Sequence, residues 1–365
     1  MSERDEPILL TPGPVTLSPR VRRALAAANF SHREPAFARL YASVGDALTR
    51  LASASHHEPL LIAGSGTAAT EAAFATLLSP QRTLLVVSNG AFGDRLAEIA
   101  RVLGIPVRVL AYAWGEPMQP DAIAQLVDDD PTIAAVAVVQ HETSVGCLNP
   151  VPQIGAALRR TRAKLFVDVV SSLGAEAFDA DAANVAVVIG TANKCLHGIP
   201  GASFVIARED AWIADAAPRS LYFDLRRYRR AAPGEVRIPF TPAVHALAAL
   251  DEALLELEDA GGVSGRHRHY QALNTRVRAG LQACGIATRF DAISRSCSLT
   301  VADVPPGQTP DELYDTLLGR GFVIYHAKGD LRERCFLVAN MGDLQLDTID
   351  RFTSIVADVV TAGAR

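Results

Sequence analysis

Lysine is nearly absent from this sequence of 365 residues, in which arginine supplies almost every basic side chain. The three lysines are Lys164, Lys194 and Lys328. Lys194 lies in TANKCLHGIPG (191–201), among small residues and close to an apolar run. A surface lysine in a loop is the plain interpretation, but arginine fills that role throughout the chain. An amine can lose its proton and attack a carbonyl carbon, whereas a guanidinium cannot, so Lys194 is a candidate nucleophile.

Paired cysteines, long apolar runs and an excess of basic charge are missing as well. The five cysteines are scattered without C-x-x-C spacing, which argues against a disulfide framework and a structural zinc site. No apolar run approaches the roughly 20 residues that cross a bilayer, and the N-terminal MSERDEPILLTPGP is unlike a signal peptide. The net charge of −5 gives no reason to expect nucleic-acid binding. We therefore expect a cytoplasmic protein without membrane or nucleic-acid partners.

Short β-branched runs alternate with helical segments through the first two thirds of the chain. Such unbroken apolar runs suit strands that are buried on both faces, as in a mainly parallel sheet flanked by helices. The predicted strands are LLVVSN (84–89), PVRVLA (106–111), IAAVAVV (133–139), KLFVDVV (164–170), VAVVIG (185–190) and SFVIA (203–207). Helices are predicted over 66–78 and 92–104. The alternation predicts a doubly wound α/β domain.

A second, smaller α+β domain is predicted at the C-terminal end. A long helix rich in alanine, leucine and glutamate follows PFTPAVHA (239–246) and ends at paired glycines. Strand and helix patterns of another kind follow it, up to a terminal helix near 346–361. We therefore predict an N-terminal segment (1–18) that packs with the small domain, a large domain (19–245) and a small domain (246–365) joined by the long helix.

Three features stand where an open α/β sheet binds its ligands. In AGSGTAATEAA (63–73) a glycine turn begins a helix whose N–H groups could hold a phosphate, although such a turn is also ordinary helix punctuation. Asp168 ends a buried strand and needs a partner such as a protonated ring nitrogen or an arginine. Phe92 in NGAFGDR could stack on a planar cofactor, although a lone phenylalanine usually belongs to a core.

One cofactor uses all of these features together with Lys194. Pyridoxal phosphate needs a lysine for its aldehyde carbon, an acid at its ring nitrogen, a phosphate cradle and an aromatic platform. Asp168 and Lys194 follow neighbouring predicted strands and so should face one crevice. The sequence therefore predicts a pyridoxal phosphate enzyme. The histidines at 56–57 and 267–269 lack the i,i+4 spacing of a helical metal site, so we expect no metal.

The motifs resemble those of the class V aminotransferases of fold type I. The matching segments are LLTPGP (9–14), GSGTAATEA (64–72), VSNGAFGDR (87–95), HETSVGCLNP (141–150), VDVVSSLG (167–174), TANKCLHGIPG (191–201), RSLYFDL (219–225), FTPAVHA (240–246) and GFVIYHAK (321–328). They stand in family order over nearly the whole chain. The chain is most similar to the 2-aminoethylphosphonate–pyruvate branch, whereas FSHREPAF (30–37) is similar to the alanine/serine–glyoxylate branch.

This resemblance implies roles for individual residues. Lys194 would carry the cofactor, Asp168 would pair with its ring nitrogen, and Phe92 would stack on its ring. The other implied cofactor contacts, to the phosphate or the ring hydroxyl, are Ser65, Gly66, Thr67, Thr143, Thr191 and Asn193. Thr241 would reach the phosphate of the neighbouring subunit, which implies a homodimer with shared sites. Gly13 is a candidate for substrate contact.

One segment departs from the family pattern. CFLVANMGDL (335–344) usually reads C-F-R-I-G-N-I-G, and its arginine clamps the carboxylate or phosphonate of the substrate. Here Leu337 stands in that place. The lost contact should be worth on the order of 1.5–3 kcal/mol, as charged hydrogen bonds generally are. Either another cation, such as Arg33 or Arg219, holds the anion, or the substrate has no anion there.

Three functions are compatible with these residues. The leading one is an aminotransferase that moves an amino group from a small amine, similar to 2-aminoethylphosphonate, to a 2-oxo acid such as pyruvate. The second keeps the cofactor but is a lyase that eliminates ammonia or a β-substituent, which needs no second substrate. The third is a binding or regulatory subunit, against which the presence of both Lys194 and Asp168 argues.

Overall fold

The computed structural model describes residues 6–213, 217–229, 238–290 and 295–363. The strands are β1 (Ile8–Leu9), β2 (His57–Gly64), β3 (Thr83–Ser88), β4 (Val107–Ala111), β5 (Ile133–Val139), β6 (His141–Glu142), β7 (Cys147–Leu148), β8 (Lys164–Asp168), β9 (Val185–Thr191), β10 (Gly201–Arg208), β11 (Leu299–Asp303), β12 (Phe322–Val323), β13 (Tyr325–His326) and β14 (Cys335–Ala339). The helices are α1 (Pro19–Ala27), α2 (Pro35–Leu51), α3 (Gly66–Leu77), α4 (Ala91–Val102), α5 (Pro120–Asp129), α6 (Val151–Leu158), α7 (Val244–Asp259), α8 (Gly262–Ala283), α9 (Pro310–Gly319) and α10 (Leu346–Gly363).

Seven strands form the central sheet, in the order β2-β10-β9-β8-β5-β3-β4. β10 runs antiparallel to both of its neighbours, and the other pairings are parallel. The six predicted strand runs coincide with β3, β4, β5, β8, β9 and β10, so the predicted α/β fold with a mainly parallel sheet is confirmed. The sequence could not predict the antiparallel direction of β10, because a strand buried on both faces is uniformly apolar in either direction.

The sheet is buried on both faces because successive side chains alternate between two cores. On β8, Leu165 and Val167 point into the core formed with α2, α5, α6 and α7, whereas Phe166 points into the core formed with α3 and α4. Each strand therefore needs apolar residues at consecutive positions. This is the physical reason for the unbroken apolar runs in the sequence.

A third core belongs to the C-terminal part of the chain. It lies between the antiparallel sheet β11-β14-β13 and helices α8, α9 and α10. β1 pairs with β12, and Leu10 and Val15 enter this same core. Residues 8–15 thus pack with the C-terminal part, while residues 1–5 of the predicted N-terminal segment lie outside the described residues.

Helix α7 packs with the large sheet and not with the C-terminal core. It contacts α1, α2 and β10, and its Leu247, Leu250 and Leu254 belong to the first core of the large sheet. The turn after α7 contains Gly261 at φ +84°, a conformation that glycine adopts without strain. The predicted domain limits stay a prediction, and the packing favours a boundary at this turn. Within the described residues, no helix combines the length and apolar character needed to cross a membrane.

Candidate active site

The centre of the site lies at the carboxyl ends of two adjacent strands. Asp168 ends β8 and pairs in register with Ile189 of β9. Lys194 follows β9 in the turn that leads to β10. Both side chains line one cavity of about 250 Å³. The sequence-based expectation that Asp168 and Lys194 face one crevice therefore agrees with the geometry, because parallel neighbours end at the same edge of a sheet.

Burial makes both groups titrate closer to neutral pH. It raises the pKa of Asp168 to about 6, although the Val170 N–H, 2.8 Å from Oδ1, and the charge of Lys194 act against the rise. Burial lowers the pKa of Lys194 to about 8, opposed mainly by the charge of Asp168. A lysine with this pKa keeps a sizeable fraction of free amine near neutral pH, as a nucleophile or proton carrier requires.

The start of α3 forms the part of the cavity suited to a phosphate. Ser65 caps the helix and its Oγ accepts the Ala68 N–H at 3.4 Å. A Cβ at Gly66 would lie 2.7 Å from Val170 Cγ2, so only glycine lets the helix start approach the strand end this closely. Thr67 also lines the cavity. Free N–H groups and the positive end of the helix dipole favour an anion here.

Thr191 and Asn193 lie beside the start of α3, with Thr191 Cβ 3.7 Å from where a Cβ at Gly66 would lie. The Thr191 hydroxyl donates to Asn193 Oδ1 at 2.9 Å, and both side chains line the cavity. Gly13 closes the same region from the N-terminal segment at φ +105°. A Cβ there would lie 2.8 Å from Lys194 Cγ and 2.9 Å from the Asn193 carbonyl oxygen. Gly13 is thus a packing contact of the lysine itself.

Phe92 forms the aromatic wall and is held in place by a residue that sequence reasoning missed. Glu142 is fully buried, and its Oε2 accepts the N–H groups of Phe92 at 3.1 Å and Gly93 at 3.0 Å. Its Oε1 accepts the Ser144 hydroxyl at 2.6 Å. Burial raises the pKa of Glu142, and these hydrogen bonds counteract the rise. The carboxylate caps the first turn of α4, so it fixes the position of the ring.

A smaller cavity of about 40 Å³ continues from Lys194 toward the C-terminal part of the chain. Its lining residues are Pro12, Gly13, Phe92, Thr143, Ser144, Lys194, Tyr325, His326, Lys328 and Leu337. Thr143 and Leu337, both selected from the sequence, lie here with relative exposures of 2% each. We call Asp168, Lys194, Phe92 and residues 65–67 the large-domain wall, and Tyr325, Lys328 and Leu337 the small-domain wall.

Two cations at the site were not selected from the sequence. Lys328 Nζ lies 4.4 Å and Arg95 Cζ lies 5.0 Å from the centroid of the Phe92 ring, which Lys194 Nζ approaches to 5.3 Å. The rarity of lysine, which pointed to Lys194, was also the available signal for Lys328. Lys164, the third lysine, forms an ion pair with Asp210 at the surface.

Three other predicted residues lie away from both cavities. Arg219 donates to the carbonyl oxygens of Phe74 at 3.3 Å and Leu78 at 2.6 Å, at the end of α3 opposite to Ser65. It therefore stabilises a helix end. Arg33 is exposed, and so is Thr241; neither lines either cavity of this chain. The structure gives no support to a substrate role for Arg33 or Arg219.

A separate cavity of about 730 Å³ lies beside α6 and α8. Glu176 and His267 line it, and with Cys297 they place possible metal-ligand atoms within 4.8 Å of one another. Spacing along the chain could not show this cluster, because its members come from distant segments. Hydrogen bonds already occupy it: Glu176 Oε1 accepts the Cys297 N–H at 2.8 Å, and His267 Nδ1 lies 2.9 Å from the Ala175 carbonyl oxygen. No lysine lines this cavity, and it is separate from the cavity that Asp168 and Lys194 line.

The residues at the carboxyl ends of β8 and β9 and around them fit pyridoxal phosphate. Among the described residues, one cavity brings together a half-buried carboxylate, a half-buried amine, an aromatic ring and a helix start without side-chain obstruction. These are the four contacts that the cofactor requires. The raised pKa of Asp168 and the lowered pKa of Lys194 indicate that both groups lack their full complement of partners.

Comparisons with known proteins agree with this fit. The family model Aminotransferase class-V matches residues 22–306. A 2-aminoethylphosphonate–pyruvate transaminase from Salmonella schwarzengrund (strain CVM19633) is 36% identical over 362 residues, which cover 97% of each chain. The structure of pyridoxamine–pyruvate aminotransferase from Mesorhizobium loti aligns with a TM-score of 0.91 and 27% identity, over 100% of this chain and 95% of that one. The structure of an alanine–glyoxylate aminotransferase from Nostoc sp. also aligns with a TM-score of 0.91. It is 25% identical, and the alignment covers 97% of this chain and 95% of that one.

Proposed function

The chain belongs to the class V aminotransferases, and from that premise we propose that it transfers the amino group of a small anionic amine, such as 2-aminoethylphosphonate, to a 2-oxo acid such as pyruvate. The predicted family, fold type, cofactor and aminotransferase activity are confirmed by the family match and by the relatives. The observation that carries the proposal for this site is that Lys194 and Asp168 share one cavity with Phe92 and the start of α3.

In this proposal Asp168 and Lys194 of the large-domain wall have different chemical roles. When bound, pyridoxal phosphate supplies an electron sink that lets the carbon next to the amino group lose its proton. Asp168 would provide the half-buried carboxylate that keeps the ring nitrogen protonated. Lys194 accepts the proton from the substrate carbon on Nζ and returns it at the next step. A pKa of about 8 suits Lys194 to both directions of this transfer.

The remaining contacts position the cofactor. Ser65, Gly66 and Thr67 would hold the phosphate through the helix start, with Thr191 or Asn193 beside it. Phe92 would stack on the ring, held by Glu142, and Thr143 would contact the side of the ring hydroxyl. Because Gly13 packs on the side chain of Lys194, we infer that it controls the approach of substrate to the amine.

A homodimer with shared sites is part of the proposal. Thr241 is exposed and lines neither cavity of its own chain, which is compatible with a contact to the phosphate of a neighbouring subunit. Light scattering of the purified protein and the cofactor affinity of Thr241→Ala test this. A monomer that retains full cofactor affinity would contradict it. The cytoplasmic location stays a prediction.

The transfer itself is tested in a single turnover. The protein loaded with pyridoxal phosphate is mixed with 2-aminoethylphosphonate in the absence of an oxo acid, and the cofactor absorption, aldehyde and ammonia are measured. We expect one equivalent of aldehyde per site, a changed cofactor spectrum and no free ammonia, followed by alanine when pyruvate is added. Ammonia released without any oxo acid would instead establish the lyase, and an unreacted amine would remove 2-aminoethylphosphonate as substrate.

A further inference from the structure

The anionic end of the proposed substrate needs a partner near Lys194, and Leu337 cannot be that partner. Leu337 lies on β14 opposite Val301 and Tyr325, and its side chain is buried in the C-terminal core while bordering the small cavity. The side chain of leucine has no hydrogen-bond donor. Where the family pattern that the sequence resembles has an arginine, this strand thus has an apolar side chain, and the following inference rests on the proposed function.

Lys328 presents an amine to the same small cavity from the segment after β13. Lys328 and Lys194 both line this cavity, and each places Nζ near the ring of Phe92, at 4.4 Å and 5.3 Å from its centroid. The charge of Lys328 contributes to the lowered pKa of Lys194, which also indicates that the two amines are close. A short molecule that reacts at Lys194 can therefore contact Lys328.

Within the described part of the chain, Lys328 has no carboxylate bound to it. Its contact is the ring of Phe92, which is a weak partner for a half-buried ammonium group and which a cofactor stacked on Phe92 would compete for. Burial lowers the pKa of Lys328, the charge of Arg95 lowers it further, and the charge of Glu142 opposes both. Since Glu142 already accepts the N–H groups of Phe92 and Gly93, it is committed elsewhere. A half-buried cation without an acid is suited to an anionic ligand.

The dimensions of the cavity limit the ligand. The small cavity between Lys194, Leu337 and Lys328 has a volume of about 40 Å³, so it accommodates only a small terminal group. The rest of the ligand has to lie in the adjoining cavity of about 250 Å³, which Lys194 and Lys328 also line. Leu337 offers the ligand an apolar wall.

We propose that Lys328 holds the anionic group of the substrate, in place of the arginine that Leu337 replaces. An ammonium is a compact charge with rotatable donors, whereas a guanidinium is a planar fork that matches a carboxylate in two bonds. The substrate class is therefore a short amine with a terminal oxyanion, and the site selects between tetrahedral and planar anions less sharply than an arginine fork would.

The test compares Lys328→Met with the wild type, both loaded with pyridoxal phosphate. We expect the KM for 2-aminoethylphosphonate to rise roughly 10- to 150-fold, the range for loss of a charged hydrogen bond. The KM for propylamine, which lacks the anion, should change much less. Lys328→Met with Leu337→Arg should recover part of the lost affinity. Lys164→Met removes a surface lysine in the same way and should match the wild type.

A binding measurement keeps the inference separate from the activity. Ethylphosphonate has the anion but no amine, and calorimetry should show at least tenfold weaker binding to Lys328→Met than to the wild type. Equal binding to both proteins would overturn the inference. The inference would also be overturned if Arg95→Gln, and not Lys328→Met, weakened the binding of ethylphosphonate. A Lys328→Met protein with reduced affinity for the cofactor would overturn it as well. If ethylphosphonate binds through Lys328 but 2-aminoethylphosphonate does not react, only the proposed function fails.

Discussion

The two walls of the site are built in different ways. The large-domain wall consists of strand ends and helix starts, where the backbone of a doubly wound sheet holds Asp168, Phe92 and residues 65–67 at fixed positions. The small-domain wall consists of side chains on β13 and β14 and the segment that follows β13. One wall holds the groups that we propose for cofactor binding, and the other has the aromatic residue Tyr325, the apolar residue Leu337 and the cation Lys328. We infer that chemistry and substrate choice are divided between the two walls.

The strongest test of this division removes the amine from the large-domain wall. Lys194→Arg keeps a positive charge but cannot lose its proton, so turnover should fall by about 10²–10⁴-fold or more. The cofactor absorption should also lose the band of the lysine-bound form. Lys164→Arg, a matched change at a surface ion pair, should leave both unchanged. Turnover above a tenth of the wild-type value in Lys194→Arg would contradict the assignment of Lys194.

A change in the small-domain wall should affect stability and substrate size but not the cofactor. Leu337 is buried, so Leu337→Ala should lower the free energy of unfolding by about 2–5 kcal/mol. The enlarged cavity should admit longer amines, while the cofactor spectrum stays as in the wild type. Denaturant titration and a series of amines of increasing length measure the two effects. A changed cofactor spectrum would show that the two walls are not independent.

The pH dependence of the free energy of unfolding tests the environment of Asp168 in the large-domain wall. Its pKa of about 6 in the folded protein lies above the ordinary value of 3.8, so folding favours its protonated form. The stability from this preference is fully present below pH 3.8 and is lost as the pH rises through 6. In the cofactor-free protein, Asp168→Asn should therefore raise the free energy of unfolding at pH 8 by on the order of 3 kcal/mol, and change it little near pH 4. Equal stability of the two proteins at pH 8 would contradict the raised pKa.

The smallest expected effect is on the aromatic platform. Phe92→Leu keeps an apolar side chain but removes the ring, so the affinity for pyridoxal phosphate should fall by about 0.5–1.5 kcal/mol, as for loss of one aromatic contact. Titration of the cofactor-free protein with pyridoxal phosphate measures this. Unchanged affinity would mean that Phe92 serves the core only, the ordinary role of a lone phenylalanine.

Local patterns predicted much of the large domain. Each buried strand needs consecutive apolar residues, and each helix start needs a turn such as the glycine turn before α3, so these elements could be located from short windows. The site residues Lys194 and Asp168 follow such strands directly, and their placement needed no contact across the chain. The placement of α7 was harder, because its packing on α1 and α2 depends on residues more than 200 positions away in the chain.

By itself, the sequence determined the fold class and the strands whose carboxyl ends form the site, and it singled out Lys194 as the candidate nucleophile and Leu337 as a departure from the family pattern. Only the tertiary structure decided which cations approach the substrate. Lys328 and Phe92 meet because the C-terminal part folds back onto the edge of the large sheet, and Arg219 is drawn instead to the carbonyl end of α3. The physical reason is that periodicity and turn residues report on neighbours along the chain, whereas a cation's partner is set by packing between distant segments.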